Sequence, residues 1–327
     1  VMTPTRIPRR ALLGAAPALA LALAPAARAE TWPSRPIRLV VPYPPGGGSD
    51  TMARIIYPRV AERLGQPIVI DNRGGATGTI GEAAVVQAPA DGYTVLHDAA
   101  AMGVNPALFR SLPFDVDRDF TPVTLVVTFP NLLLAHPDVP VRTVADVIAM
   151  AKAKPGGVDW ASSGNGSNQH LSMVLFARAA GITVNHIPYR GGGPAIADVI
   201  AGNVPFVFGA ASGQTGHVLA GRVRAIGHTG AGRLAALPDV PPIADTLPGF
   251  EALDWQGVFV RSGTPRPIVE RLSAEIGAAL REPAIRERML SFAAEPRPMT
   301  PDEFAAFFAA ERRKWTSLIR EANITLE

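Results

Sequence analysis

Four times along the 327-residue chain a short apolar run ends in a glycine-rich turn and then passes into an amphipathic stretch. After residues 37–41 comes Pro42-Tyr43-Pro44-Pro45-Gly46-Gly47-Gly48-Ser49-Asp50, and after residues 68–71 comes Arg73-Gly74-Gly75-Ala76-Thr77-Gly78-Thr79-Ile80-Gly81. After Trp160 the turn reads Ser162-Ser163-Gly164-Asn165-Gly166-Ser167-Asn168, and after Pro188-Tyr189 it reads Arg190-Gly191-Gly192-Gly193-Pro194. Apolar runs of strand length that alternate with helical segments are the rhythm of an α/β fold built on doubly wound, mainly parallel sheets. No short internal repeat is visible, which argues against solenoids and propellers.

The elements fall into two sets, which predicts two lobes. The first set has strands at 37–41, 67–71 and 93–97, with a helix at 50–64. The second begins near Asn131, with strands at 131–135, 158–162, 184–189, 205–208 and 223–227. Its helices start at Thr143, where Asp146 has capping-box spacing, and occupy 170–180, 194–201 and 216–220. The tail reads as helical: Ile268, Leu272, Ile276 and Leu280 recur at every fourth position. Thr300-Pro301-Asp302-Glu303 then supplies N-cap, N1 proline and N3 glutamate for a last helix. Its Phe304, Phe307, Phe308, Trp315, Leu318 and Ile319 form one apolar face that docks on a core. The expected division is 30–130 plus 250–327 for lobe 1 and 131–249 for lobe 2.

Residues 1–29 read as an export signal, with Arg9 and Arg10, an Ala/Leu stretch to Pro25, and Ala27-Arg28-Ala29 as the cleavage site. Pro8-Arg9-Arg10-Ala11-Leu12-Leu13 is close to a twin-arginine pattern, and a Sec signal also accommodates it. Four of the 31 Lys+Arg lie in that segment, so 27 basic residues face 28 acidic ones in the remainder. Such a near-neutral surface carries no basic stripe for nucleic acid or anionic lipid. With 47 % hydrophobic and only 18 % charged residues, the chain supports a packed core rather than a disordered coat. The lack of cysteine excludes disulfides, thiolate metal sites, a cysteine nucleophile and a lipid-modified cysteine. The expectation is a monomer, free in the periplasm, with no cofactor.

In an open α/β sheet the turns after the strands lie where ligands bind. Glycine lets the backbone approach a ligand closely, and each following helix start offers free N–H groups to an anion. Two such turns in each lobe predict a shared cleft. They do not match nucleotide signatures: there is no Gly-Lys-Ser/Thr sequence, and Gly75, Gly78 and Gly81 lack dinucleotide-loop spacing. Ser167 is not in a nucleophile elbow, and His97, His136, His170, His186, His217 and His228 show no metal-ligand spacing. Asp50 serves equally as a general base or as a first-turn acid. Arg190 is the side-chain cation candidate, His170 lies just beyond a Gly/Ser loop, and Tyr43 and Trp255 either wall the cleft or pack in the core.

These residues resemble a known family, the Bug or TctC-like solute receptors. The resemblance is carried by residues 42–50 with Ala53-Arg54, by Asp71-Asn72-Arg73 with Gly75-Ala76, Gly78 and Ile80-Gly81, and by Ala90-Asp91-Gly92-Tyr93-Thr94. Residues 162–167, the stretch from His186 to Ala195, and Trp255, Gly257 and Gly263-Thr264-Pro265 follow in order. The resemblance implies a two-lobed, Venus-flytrap periplasmic-binding-protein fold that performs no chemistry. It also implies large and small membrane subunits of a tripartite tricarboxylate transporter as partners. The implied ligands are carboxylates: di- or tricarboxylates, acidic amino acids, aromatic acids or nicotinate-like molecules. The implied grip comes from Pro45, Gly46, Gly47, Gly48, Ala76, Thr77 and Gly78 in lobe 1, closed by Ser162, Ser163, Gly164, Ser167, Arg190 and Gly191 of lobe 2. Two departures stand out. Gly74 replaces a frequent proline, and residues 98–103, around Ala100, are more apolar than expected, which hints at a less polar ligand end.

The reading is therefore a periplasmic receptor for a small carboxylate, with Tyr43, Asp50, Ala100 and His170 added to the candidate site. Two alternatives remain: a sensing subunit for a membrane sensor kinase, and a hydrolase using Ser167 or Asp50.

Overall fold

The computed structural model of the protein describes residues 32–326; the export signal expected at 1–29 lies outside the described residues. The chain runs β1 (Ile37–Val41), α1 (Gly48–Leu64), β2 (Ile68–Asn72), α2 (Thr79–Val86), β3 (Thr94–Ala99), α3 (Ala101–Leu108) and α4 (Val116–Asp119). It continues through β4 (Phe120–Ala135), α5 (Val144–Ala153), β5 (Asp159–Ser162), α6 (Asn168–Ala180), β6 (Asn185–Pro188) and α7 (Gly192–Ile200). Then come β7 (Phe206–Ala210), α8 (Ala211–Leu219), β8 (Arg224–His228), β9 (Leu253–Arg261), α9 (Arg266–Leu280), α10 (Pro283–Leu290), β10 (Glu295–Pro296) and α11 (Pro301–Glu321).

The strands are joined in the order β2-β1-β3-β9-β4-β7-β5-β6, with β8 and β10 also pairing β4. β2, β1 and β3 are parallel, as are β7, β5 and β6, while β9 and β4 run antiparallel to their neighbours. β4 is common to both halves. Its residues Phe120–Pro130 pair with β9, and Asn131–Ala135 pair with β7 and β8. A strand beginning at 131 is what the sequence suggests, because Pro130 has no N–H for a ladder. In the structure Pro130 closes the β9 ladder, and the next N–H, of Asn131, donates to the Thr229 hydroxyl at 2.8 Å. The backbone therefore changes partners without leaving the strand.

Each half is apolar on both faces of its sheet, as strands covered on two sides require. Leu39 and Val41 join one cluster while Val40 joins another, and Leu133 and Leu132 separate in the same way. Trp160 anchors the second half, stacked on Phe208 and tilted against Phe176 and Phe206. Both capping boxes form: Thr143 Oγ1 accepts from the Asp146 N–H, and Thr300 Oγ1 from the Glu303 N–H.

α11 does not sit on one core. Phe304 and Phe308 pack with Trp255 and Phe259 in the first half, whereas Trp315, Leu318 and Ile319 belong to the Trp160 core. A helix of this length, about 30 Å, reaches from one to the other. The apolar stripe read from the sequence is thus shared between halves. Trp255 is 1 % exposed and surrounded by phenylalanines, so it is a core residue rather than a cleft wall.

Gly257 has a packing reason to be glycine: a Cβ there would come within 2.2 Å of the Phe304 ring. Phe304 is fully buried and cannot swing aside without a void. Gly257→Ala should therefore destabilise the protein by about 1–3 kcal/mol. Urea unfolding checks this, and an unchanged midpoint would mean that the ring relaxes freely.

Candidate ligand-binding site

Between the halves lies a cavity of about 290 Å³. Larger hollows of about 510 and 530 Å³ occur elsewhere, but they are shallow surface features. The first half contributes Tyr43, Thr77, Ala99, Ala100, Ala101, Val104, Asn105 and Leu108; the second contributes Ser163, residues 165–169 and Leu171. Asp254, Trp315 and Leu326 complete the wall.

Two helix starts open into this space. α3 begins at Ala101 with no side-chain cap, and among the described residues the N–H groups of Ala101 and Met102 find no acceptor. α6 begins at Asn168, where the Asn168 and Gln169 N–H groups are likewise unbonded. Free amides at the positive end of a helix attract an anion, with a contribution of about 0.3–2 kcal/mol from each end. Ser167 is occupied as the α6 cap: its Oγ accepts from the His170 N–H and donates to the Gly164 carbonyl. A hydroxyl held this way is a helix cap and not a nucleophile.

The start of α6 is held by polar side chains that meet at β4. Asn131 Nδ2 donates to Asn168 Oδ1 and to Ser172 Oγ, and Gln169 Nε2 donates to Asn131 Oδ1. Ser163 Oγ donates to Gln169 Oε1, and Asn168 Nδ2 to the Leu253 carbonyl. On the opposite wall Ala76 and Thr77 take positive φ values of 45° and 53°. That region costs a non-glycine residue about 1–2 kcal/mol and needs support. Asn105 supplies it: its Nδ2 donates to the Thr77 carbonyl at 3.2 Å, and its Oδ1 accepts from the Thr77 hydroxyl at 3.1 Å.

Below Gly78 lies a buried acid pair. Tyr43 donates to Asp98 Oδ1 at 2.9 Å, and Asn105 lies 3.5 Å from Glu82 Oε1. Asp98 Oδ2 and Glu82 Oε2 have no other partner. Burial and the Asp98 charge hold Glu82 well above the usual carboxylate range, and burial pushes Asp98 up to about 7. With both carboxyls raised by burial, the pair holds a proton at neutral pH.

Of the residues singled out from sequence, Tyr43, Thr77, Ala100, Ser163 and Ser167 line the cavity. The rest lie elsewhere. Pro45, Gly46, Gly47 and Gly48 form a solvent-facing turn whose Pro44 packs on Gly74. Ala76 and Gly78 flank Thr77 without lining the space. Asp50 is 2 % exposed, and its carboxylate accepts from the Gly46 N–H, Arg54 Nε and Asn72 Nδ2. The hydrogen bond from Arg54 draws its pKa down to about 2. Asp50 therefore folds the first turn; it has neither the free oxygen of a base nor the charge to receive an anion.

Ser162 is fully buried and bonded to His186 Nε2 at 2.6 Å. His170 stacks on His186 with ring centroids 3.9 Å apart, and its Nδ1 accepts from the Gly166 N–H. Burial drives the His170 pKa down to about 3, so this ring is a neutral prop beneath the loop. Gly164, Arg190 and Gly191 also stand off the cavity, and Arg190 is exposed with no side-chain partner among the described residues. The walls that sequence reading missed are mostly α3, Asp254, Trp315 and Leu326. Ala100, Val104 and Leu108, spaced by four, were the visible sign of a helix face.

Residues 52–324 match the family described as the tripartite tricarboxylate transporter family receptor, TctC. The chain belongs to this family. A Pseudomonas sp. (strain P51) protein from the tcbD-tcbE intergenic region is 41 % identical to this receptor over 315 residues, covering 96 % of this chain and 94 % of that one. BugT of Bordetella pertussis is 36 % identical, covering 91 % and 93 %. Among solved structures, Rpa4515 of R. palustris with adipate shares 34 % identity at a TM-score of 0.79, covering 90 % of this receptor and all of that chain. MatC from Rhodopseudomonas palustris with bound malate shares 33 % at 0.74, covering 88 % and 100 %. The receptor has the two-lobed fold of periplasmic binding proteins, and the family is one of solute-binding proteins rather than enzymes. No helix among the described residues is long and apolar enough to cross a membrane.

A carboxyl whose pKa is raised by folding holds more proton in the folded state, so its contribution to stability falls as pH rises. For the Glu82–Asp98 pair that loss begins near the unfolded value, about 4, and for Asp98 it is complete just above about 7. The double variant Glu82→Gln/Asp98→Asn should lose less stability than wild type between pH 4 and 8, by about 1–3 kcal/mol. Urea unfolding across that range gives the comparison; parallel curves would show that the pair does not titrate on unfolding.

Proposed function

We propose that the receptor captures a small carboxylate in the cavity between its lobes and presents the closed form to the large and small membrane subunits of a tripartite transporter. The lobes are taken as 30–130 with 250–327, and 131–249, with the last helix shared. Export to the periplasm, after cleavage near Ala29, and action as a monomer belong to the same reading. The observation that supports it best is the convergence of two helix starts with free N–H groups, α3 from one lobe and α6 from the other, on one space. That is an anion site made from main-chain donors, and it needs no arginine. The Gly-rich turn at residues 45–48 then serves to fix the start of α1 beside Tyr43 rather than to wall the cavity.

Isothermal titration of ligand-stripped protein against mono-, di- and tricarboxylates should give saturable heat for at least one class. Ala101→Trp would place an indole at the mouth of α3 and should abolish that heat while leaving the thermal midpoint within a few degrees. Flat traces for every carboxylate, with neutral solutes binding instead, would refute the reading. Pull-down with a tripartite permease tests the partner.

A further inference from the structure

Among the described residues, the space between the lobes is lined by no lysine, arginine or histidine, yet it contains a carboxylate. Asp254 accepts one hydrogen bond, from the Trp255 N–H to Oδ1 at 2.9 Å. Its Oδ2 accepts none, and no cationic side chain pairs with it among the described residues. Asp254 is also close to the anion-binding amides: the Trp255 carbonyl accepts the Ala100 N–H at 3.0 Å, one residue before the free Ala101 and Met102 N–H groups. A negative side chain thus stands beside a start of helix that attracts negative charge.

A ligand with a carboxylate and an adjacent ammonium satisfies both features at once. A second carboxylate would meet Asp254 with like charge in a partly desolvated space, where screening is weak. Away from the polar side chains of residues 163–169, Thr77 and Asn105, one stretch of the wall is apolar: Val104, Leu108, Leu171, Trp315 and Leu326 offer side-chain carbon there. At about 290 Å³ the cavity sits at the small end for ligand sites, of amino-acid size. We infer that this receptor selects an α-amino acid with an apolar side chain, its ammonium on Asp254, its carboxylate on the α3 and α6 amides, and its side chain against the apolar wall. Burial, with the Glu311 charge nearby, raises Asp254 to about 6, which leaves it ionised at pH 7.5. The inference rests on the proposed carboxylate cavity and goes further in naming what the ligand carries beside its carboxylate.

The test is calorimetric titration at pH 7.5 of wild type and Asp254→Asn. The probes are leucine and phenylalanine, their deaminated partners 4-methylpentanoate and 3-phenylpropanoate, and malate and adipate. The amide variant keeps the acceptor for the Trp255 N–H, and its thermal midpoint reports folding. Wild type should bind at least one of the two amino acids at least tenfold more tightly than its deaminated partner or either dicarboxylate. Asp254→Asn should lose at least tenfold for that amino acid while changing the deaminated partner by less than threefold. Equal affinity for an amino acid and its deaminated partner overturns the inference but leaves the carboxylate reading standing. So does preferential binding of malate or adipate that survives Asp254→Asn. Absence of binding by every probe overturns both.

Discussion

One strand ties the lobes together. Because β4 pairs with β9 along its first part and with β7 and β8 along its last, the two halves share a backbone ladder, not only a linker. The change of partner falls at Pro130 and Asn131, where a missing N–H and a side-chain acceptor replace one ladder bond. Asn131 then uses its amide to hold Asn168 and Gln169, so the residue at the crossing also aims the start of α6. Site geometry and lobe geometry are set by the same few atoms.

The electrostatics of the cleft follow from what is absent as much as from what is present. The proposed attraction for anions comes from main-chain N–H groups at two helix ends, while the acidic side chains nearby are Asp254 at the wall and the protonated Glu82–Asp98 pair behind Tyr43. Dipoles in fixed backbone carry no side-chain entropy cost on binding, and they leave the walls free to be apolar. Polar rings and carboxyls lie beneath the surface as supports: His170 under the 162–167 loop, Asp50 inside the first turn, Asp98 under Gly78.

The architecture was legible wherever a local rule dominates. Apolar runs ending in turns located β1 and β5, every-fourth spacing located α9, and both capping boxes named helix starts to the residue. β9 and the first part of β4 were not read as strands, since their role is long-range pairing of continuously buried runs. α8 starts five residues before the helix read at 216–220, because Ala211-Ser212-Gly213 carries no helix signal of its own. Among candidate residues, the glycine turns correctly marked the ends of strands. Their order in sequence said nothing about which turns face the gap. Thr77 and Ser163 line it; Gly46, Arg190 and Asp50 do not. Asp254 and Leu326 are far from any motif and reach the cavity only through the sheet crossing and the final helix.

That final helix limits how the lobes can move. α11 has Phe304 and Phe308 rooted in one core and Trp315, Leu318 and Ile319 in the other, and just beyond its end the Leu326 N–H bonds to the Leu108 carbonyl. A rod seated in both bodies resists a wide gape, which would bend it or pull an aromatic root from its socket. Swivelling about the rod's own axis disturbs far less. The joint is stiff in one direction and compliant in another, so a guest enters past a sliding edge more readily than through parted jaws.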